Sequence, residues 1–189
     1  MNNIPGEESR MPTSSRFEDV EATEAFGRSL AAAVLRHLDA IRAAGLQINL
    51  SGDLGAGKTA LVRAMLRALG ITGTVKSPTF ALLEPYAVSS LDFYHFDFYR
   101  LTAAEFGGTG FRELFGPGHI CAVEWPERAG PRLPTADISI TLTVDGDGRL
   151  VTINAASELG EACLRQAMTE FEASGGVSSP PAPARSSSR

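Results

Sequence analysis

Gly52-Asp53-Leu54-Gly55-Ala56-Gly57-Lys58-Thr59 is the stretch of this sequence that decides its fold. It has the pattern G-x-x-x-x-G-K-[ST], in which glycines let consecutive backbone N–H groups face an anion. The short alternating strand 46–50 precedes it, and an apolar periodicity over 58–69 predicts a helix directly after it. A helix begins with free N–H groups and a positive dipole end, so this order predicts a phosphate-binding loop.

The loop pattern predicts a nucleotide triphosphate, and we expect ATP with Mg²⁺ as the ligand. The Lys58 ammonium is expected to reach the β- and γ-phosphates, and the Thr59 hydroxyl to ligate Mg²⁺. The other residues expected along the phosphates are Asp53, Leu54, Gly55, Ala56, Gly57 and Ala60.

The chain uses arginine far more often than lysine. Of 17 basic residues only Lys58 and Lys76 are lysines, and the rest are arginines. A compact, mobile ammonium suits phosphate contact at position 58, whereas a planar guanidinium would contact phosphate differently. Codon bias alone is the alternative explanation, and for Lys76 the two explanations weigh equally.

Length and charge limit the class of protein. The 189 residues fit one domain with tails, and the net charge of −5 opposes direct binding of a nucleic-acid backbone. No run rich in Lys or Arg is present. We therefore expect any contact with nucleic acid to pass through a protein partner.

Neither a membrane span nor an oxidising compartment is indicated. The apolar runs are short and interrupted by charge, and the N-terminal residues lack the pattern of a secretory signal. The two cysteines, Cys121 and Cys163, have no CxxC spacing. A reducing cytoplasm is the simplest expectation.

The pattern along the chain predicts one α/β domain at residues 17–173, between a disordered arm (1–16) and a disordered Ser/Pro-rich tail (174–189). A three-layer P-loop fold with a mixed, mainly parallel central sheet is expected. The elements predicted before the acidic strand are a helix at 22–44, a strand at 46–50, a helix at 58–69, and strands at 80–83 and 91–98 separated by Pro85.

The second half of the domain shows weaker patterns. Residues 102–115 have slight helical character, interrupted by Gly107-Gly108-Thr109-Gly110, and 120–123 is a compact buried strand. Two strand patterns flank Asp145-Gly146-Asp147-Gly148, which predicts a C-terminal hairpin. A last helix is expected at 157–171.

Two carboxylates stand where a magnesium-nucleotide site needs them. Glu124 ends the apolar run 120–123, and a buried strand that ends in a carboxylate is costly unless a cation awaits it. Asp97 lies among aromatic residues, where it would orient the attacking water or support the metal. The alternatives are a surface Glu124 and an Asp97 that pairs with Arg100 or His95.

Other polar and aromatic residues carry weaker predictions. Trp125, the only tryptophan, either walls the nucleotide site or belongs to the core. Thr79 follows Ser77-Pro78, where nucleotide switches keep a residue that senses the γ-phosphate, although a plain turn is the alternative. His95 is expected to be a packed strand residue rather than a catalyst.

These motifs together resemble one family. GDLGAGKT (52–59), VKSPTF (75–80), HFDFYR (95–100) and EWP (124–126) occur in the order typical of the TsaE (YjeE) family. That family is the ATPase subunit of the bacterial machinery that makes threonylcarbamoyladenosine in tRNA. The resemblance covers roughly residues 18–145.

The resemblance implies a small P-loop ATPase, weak alone, that docks onto the TsaD–TsaB heterodimer and meets tRNA only through that complex. By motif, Thr59 and Glu124 would hold magnesium, Asp97 would serve hydrolysis together with Lys58, and Thr79 would sit in a switch-like loop. Thr23 matches a Thr-x-x-[LF]-Gly start of the first helix, which lies near the nucleotide base in the family.

One departure from the family pattern concerns the segment after HFDFYR. The family shows an acidic, leucine-containing helix before a single glycine, whereas this chain has four residues, 107–110, of which three are glycine. Each glycine lowers helix propensity by about 1 kcal/mol relative to alanine, so a short or frayed helix is expected.

Two alternatives to an ATPase subunit stay open at this point. One is a P-loop kinase for a small acceptor, whose phosphates would be clamped by Arg100, Arg112, Arg128 and Arg132. The other is a subunit in which ATP only orders loops for docking and hydrolysis is incidental. GTP is disfavoured because the guanine-reading sequence Asn-Lys-x-Asp is absent.

Overall fold

The computed structural model describes residues 13–176. The predictions for residues 1–12 and 177–189 lie outside the described residues. The predicted disordered arm is wrong for residues 13–16, because Thr13–Phe17 forms strand β1 at one edge of the sheet. Phe17 anchors this strand, since its ring is fully buried and packs 5.1 Å from the ring of Phe171.

The remaining elements alternate as an α/β domain requires. The helices are α1 (Val20–Arg36), α2 (Leu38–Ala44), α3 (Lys58–Ala68), α4 (Ala103–Phe106) and α5 (Glu158–Ala173). The other strands are β2 (Leu46–Ser51), β3 (Leu83–Val88), β4 (Leu91–Asp97), β5 (His119–Glu124), β6 (Ile138–Asp145) and β7 (Gly148–Ala155). Single 3₁₀ turns lie at Phe111–Leu114, Pro126–Arg128 and Gly130–Arg132.

All seven strands form one mixed sheet in the order β1-β7-β6-β2-β5-β4-β3. The four central strands β6, β2, β5 and β4 run parallel, and antiparallel pairs lie at both edges. The predicted mixed α/β sheet with a C-terminal hairpin is therefore confirmed. The hairpin joins β6 to β7 through the two residues Gly146 and Asp147.

The two faces of the sheet are covered unequally. Helices α1, α3 and α5 pack on one face and bury the larger core. The other face carries a smaller aromatic core under α4 and the 3₁₀ turns, with Phe96, Phe98 and Phe106 at its centre. Successive side chains of a strand point to opposite faces of the sheet. In β4, Phe93, His95 and Asp97 therefore lie on the face that the long helices cover. None of the helices within residues 13–176 is long and apolar enough to cross a membrane.

The predicted helix at 22–44 is interrupted at His37. The His37 N–H is shared between the carbonyls of Ala33 (3.2 Å) and Val34 (3.1 Å), which tightens the last turn of α1. Helix α2 then starts in a new direction that buries Ile41 completely. Apolar spacing does not detect this change because the periodicity continues through it.

The prediction that Pro85 separates two strands is wrong. Pro85 lies inside β3, opposite Tyr94 of β4, and the predicted strand at 80–83 is mostly turn. Strand β3 is the sheet edge, where a residue without an N–H loses no ladder bond on its outer side. The strand run 91–98 is confirmed as β4, and 120–123 as the middle of β5.

Short helix α4 forms despite the glycines after it. The Thr102 hydroxyl accepts from the Glu105 N–H, and the Glu105 carboxylate accepts from the Thr102 N–H, which is a complete capping box. The Thr102 hydroxyl also donates to the Glu105 carboxylate at 2.7 Å, and this bond, followed by the one from the Thr102 N–H, lowers the pKa of Glu105. The helix has only four residues, as the glycine run predicted.

Helices α1 and α3 cross in close contact at Gly27. A Cβ atom on Gly27 would lie 2.5 Å from the Leu61 carbonyl oxygen and 3.1 Å from the Ala64 Cβ. Helix α1 could not approach α3 as closely with a larger residue at this position.

Gly27→Val should therefore lower the free energy of unfolding by about 1–3 kcal/mol, the usual cost of overpacking. Urea unfolding followed by far-UV circular dichroism measures this. The control is Arg28→Val on the exposed side of the same helix, expected to stay within about 0.5 kcal/mol of wild type. Equal losses in the two variants would contradict the close crossing.

Candidate functional site

Three neighbouring parallel strands end together at one edge of the sheet. In the register of the sheet, Glu124 at the end of β5 lies beside Leu50 of β2 and beside Asp97 at the end of β4. The loop 52–57 leaves β2 at this same edge. Crevices at the carboxyl ends of parallel strands are the usual ligand sites of α/β sheets.

A cleft of about 420 Å³ opens at this edge. Its lining residues from the predicted set are Leu54, Gly55, Gly57, Lys58, Thr59, Ala60, Thr79, Asp97, Glu124 and Trp125. Ser77, Tyr99 and Arg100 complete the wall. Three predicted residues do not line the cleft: Asp53 is exposed, Ala56 is buried beneath the loop, and Thr23 lies on α1.

The loop that lines the cleft carries backbone N–H groups without a hydrogen-bond acceptor in the described part of the chain. The Ala56 N–H donates to the Asp53 carbonyl, but those of Gly55, Gly57, Lys58 and Thr59 donate to no acceptor within residues 13–176. Gly57 has φ +111°, a conformation that side chains disfavour, and it begins helix α3. Free N–H groups at the start of a long helix form an anion site.

Lys58 is buried, with 4% of its surface exposed. Its Nζ donates to the carbonyls of Gly52 (2.6 Å) and Asp53 (2.9 Å) and lies 4.0 Å from the centre of the Trp125 ring. Burial lowers the pKa of this ammonium, opposed by the charges of Glu124 and Asp97. An anion in the cleft would counter that desolvation.

Glu124 is a buried carboxylate with 3% exposure, so the surface alternative is wrong. The Thr59 hydroxyl lies 2.8 Å from its Oε1 and 3.1 Å from its Oε2. The Nε2 of His95 lies 2.8 Å from Oε1. A hydroxyl beside a carboxylate is an oxygen set of the type that Mg²⁺ takes, together with phosphate oxygens and water.

Asp97 faces Glu124 across the strand ends and is also buried. Ser77 and Thr79 donate hydroxyl hydrogen bonds to its Oδ2, the second at 2.8 Å, and the Tyr99 N–H donates to Oδ1 at 3.0 Å. Asp97 therefore pairs with neither Arg100 nor His95, the two alternatives that the sequence left open. Three donors fix its orientation toward the cleft.

Trp125 both walls the cleft and packs into its surroundings, so the two sequence alternatives hold together. Its ring lies 5.0 Å from that of Tyr99 as well as over Lys58. The residue adopts φ +58°, which is uncommon for a bulky side chain. The backbone N–H of Trp125 donates to the Leu50 carbonyl at 3.2 Å and ties this conformation to β2.

The C-terminal hairpin holds the loop from outside the cleft. Arg149 Nε donates to the Ala56 carbonyl at 2.7 Å, and a Cβ on Gly52 would overlap the Leu142 carbonyl. Thr23 approaches from α1, its methyl carbon 3.6 Å from where a Gly57 Cβ would stand. Arg149 thus binds the carbonyls of Gly55 and Ala56 from the hairpin side of the loop.

Sequence reasoning missed Arg149 and Ser77 and treated His95 as packing. The pairing of His95 with Glu124 had one detectable signal, since positions 95 and 97 share a strand face and Asp97 was already placed at the site. Nothing in the sequence linked Arg149 to residue 56. Within residues 13–176, no cluster of three or more His, Cys, Asp or Glu side chains forms a metal site built from protein ligands alone.

Comparison with known proteins gives a consistent family. The family model described as threonylcarbamoyl adenosine biosynthesis protein TsaE matches residues 17–151. A protein from Haemophilus influenzae named tRNA threonylcarbamoyladenosine biosynthesis protein TsaE is 42% identical over 117 residues, 61% of this chain and 74% of that protein. A Bacillus subtilis protein of the same name is 38% identical over 109 residues, 57% of this chain and 68% of that protein.

A solved structure has the same fold as this chain. The crystal structure of YdiB from Bacillus subtilis superposes with a TM-score of 0.67 at 28% identity, covering 85% of this chain and 98% of YdiB. The P-loop architecture expected from the glycine motif is therefore the architecture of a solved relative. With the family model matched over residues 17–151 and these relatives covered over most of their length, the chain belongs to the TsaE family.

Proposed function

We propose that this chain is a Mg²⁺-dependent ATP-binding and hydrolysing subunit in the biosynthesis of threonylcarbamoyladenosine in tRNA, acting with TsaD and TsaB. One observation carries the proposal: a loop of free backbone N–H groups, a buried ammonium and two buried carboxylates converge on one cleft. Membership of the TsaE family supports the pathway.

The phosphates would lie along the loop and the first turn of α3. The free N–H groups of Gly55, Gly57, Lys58 and Thr59 supply donors, and the helix supplies its positive end. Lys58 Nζ now donates to two carbonyls of its own loop, at the mouth of the same cleft. It would exchange these neutral acceptors for phosphate oxygens, which are stronger partners.

Thr59 and Glu124 would hold the magnesium ion that accompanies the phosphates. Bound there, Mg²⁺ neutralises charge on the phosphate oxygens. Glu124 is oriented before any ligand arrives, because two side chains donate to it. The small number of protein oxygens fits an ion that keeps phosphate and water in its shell.

Asp97 would orient the attacking water. Its carboxylate lines the cleft, and its Oδ2 accepts from Ser77 and Thr79, which follow the loop helix in the chain. Thr79 would couple the state of the γ-phosphate to the segment 77–82, because its hydroxyl contacts the hydrolytic carboxylate directly. Trp125, whose ring lies against Lys58 Nζ, would form the side of the cleft next to the phosphates.

The kinase alternative has little support. Of the four arginines that would clamp phosphates in a kinase, only Arg100 is among the residues that line the cleft. Arg112 and Arg132 border a separate depression beside α4. The remaining alternative, with ATP as a docking signal alone, differs from the proposal in whether hydrolysis matters.

Lys58→Ala should weaken ATP binding about 10- to 100-fold, since it removes a charge-assisted contact worth roughly 1.5–3 kcal/mol. Isothermal titration calorimetry with MgATP measures the affinity, and the fluorescence of Trp125, the single tryptophan, offers a second signal. Lys76→Ala, at the exposed second lysine, is the control and should bind normally. Unchanged affinity in Lys58→Ala would defeat the phosphate role of the loop.

Asp97→Asn should keep MgATP binding but slow hydrolysis about 10²- to 10⁴-fold, because asparagine has nearly the same shape but lacks the negative charge and the second acceptor oxygen that would orient or deprotonate the attacking water. Hydrolysis and multiple-turnover tRNA modification are measured with TsaD and TsaB present. Asp92→Asn, exposed on the same strand, is the control. If Asp97→Asn hydrolyses slowly yet modifies tRNA at the normal rate, ATP is a docking signal only.

The isolated chain should not retain tRNA, because a net charge of −5 provides little release of counterions. A gel-shift assay at physiological salt with about 1 μM protein should give no shifted band. The mixture with TsaD and TsaB serves as the positive control. A tight complex between tRNA and the lone chain would show that the indirect role is wrong.

A further inference from the structure

His95 is the one histidine that reaches the carboxylates of the cleft. Its side chain is fully buried, and its Nε2 lies 2.8 Å from the Oε1 of Glu124. A carboxylate can only accept, so Nε2–H is the donor. His95 and Glu124 lie on adjacent parallel strands and on the same sheet face, with His95 opposite Ala122.

Among the cleft residues that the structure describes, Glu124 is the one to which the His95 ring is hydrogen-bonded. Thr59, the other donor to that carboxylate, lines the cleft, whereas His95 does not. The histidine therefore lies behind Glu124 as seen from the cleft, fully buried on the sheet face that the long helices cover. A ligand in the cleft would have access to Thr59 and Glu124, but the hydrogen bond from His95 would stay shielded from it.

The histidine is also costly as a packing residue. Its Nδ1 is buried without a hydrogen-bond partner in the described part of the chain. A buried polar atom without a partner costs free energy that an apolar side chain at this position would avoid. Within residues 13–176, the hydrogen bond to Glu124 is the one polar contact of the ring that compensates this cost.

We propose that His95 is a positioning residue that fixes the Glu124 carboxylate for the divalent cation of the bound nucleotide. The Nε2–H bond holds Oε1 from the core side, so the carboxylate presents a set orientation next to the Thr59 hydroxyl. Partners of this kind, which bind the ligands of a metal rather than the metal, orient those ligands and raise affinity. The inference rests on the proposed function, because it takes a magnesium nucleotide as the ligand.

The test compares variants that keep or remove the donor. The glutamine amide nitrogen can occupy the position of histidine Nε2, so His95→Gln keeps the bond, whereas His95→Leu removes it and His95→Asn is too short to reach. Each protein is saturated with a nonhydrolysable ATP analogue and titrated with Mg²⁺, with Trp125 fluorescence as the signal. Affinity for the analogue in EDTA is measured separately by calorimetry.

His95→Leu should raise the half-saturating Mg²⁺ concentration at least about 10-fold, as such supporting contacts generally do. Affinity for the analogue in EDTA should change less than about twofold, since the bond acts on the metal ligand. His95→Gln should stay within about threefold of wild type for Mg²⁺. If His95→Leu does not unfold cooperatively in urea, the half-saturating Mg²⁺ concentrations of His95→Gln and His95→Asn are compared instead.

His119→Leu is the matched control. The Nδ1 of His119 lies 2.9 Å from the Leu114 carbonyl, away from Glu124, so its loss should leave the Mg²⁺ midpoint unchanged. A midpoint for His95→Leu within twofold of wild type would overturn the proposal, as would equal weakening in His95→Gln and His95→Asn. If the wild-type chain binds no analogue with or without Mg²⁺, the proposed function fails first.

Discussion

The parallel register of β2, β5 and β4 is the constraint on which the site depends. It sets Glu124 beside Leu50 on one side and beside Asp97 on the other, so three strand ends deliver the loop and both carboxylates to one edge. A shift by one residue in β4 would turn Asp97 and His95 to the opposite face, into the aromatic core under α4. The hydrophobic cores on both faces therefore protect the register as well as the stability.

Charge burial makes this edge different from the rest of the molecule. Lys58, Asp97 and Glu124 are each 3–4% exposed, although charged side chains are seldom buried without partners. All three charged groups have hydrogen-bond partners here. Polar side chains and a backbone N–H surround the two carboxylates, and two loop carbonyls accept from the ammonium. Such a site is oriented in advance, and a polyphosphate with its cation would add the opposite charges that the protein alone does not supply.

The glycine-rich loop is held in position by the helices on one face of the sheet and by the C-terminal hairpin. Three long helices fill one face, and α1 approaches α3 closely because Gly27 has no side chain. The hairpin β6–β7 supplies the remaining support, since Arg149 binds the Ala56 carbonyl and Gly52 lies against the Leu142 carbonyl. The loop is thus fixed by elements from both halves of the domain, whereas the opposite face carries, among the described residues, a four-residue helix and 3₁₀ turns.

The sequence by itself determined the α/β class, the glycine-rich loop between β2 and α3, the buried strand that ends in Glu124 and the C-terminal hairpin. Each of these features depends on residues that are close together in the chain, through glycine spacing, apolar periodicity or a turn sequence, so a local pattern is sufficient to predict it. Edge strand β1, Pro85 inside β3 and the break at His37 escaped prediction, because partners distant in the chain decide them. Only the tertiary structure decided that His95 supports Glu124, since a hydrogen bond between two strands depends on sheet register, and no local pattern in one sequence encodes register.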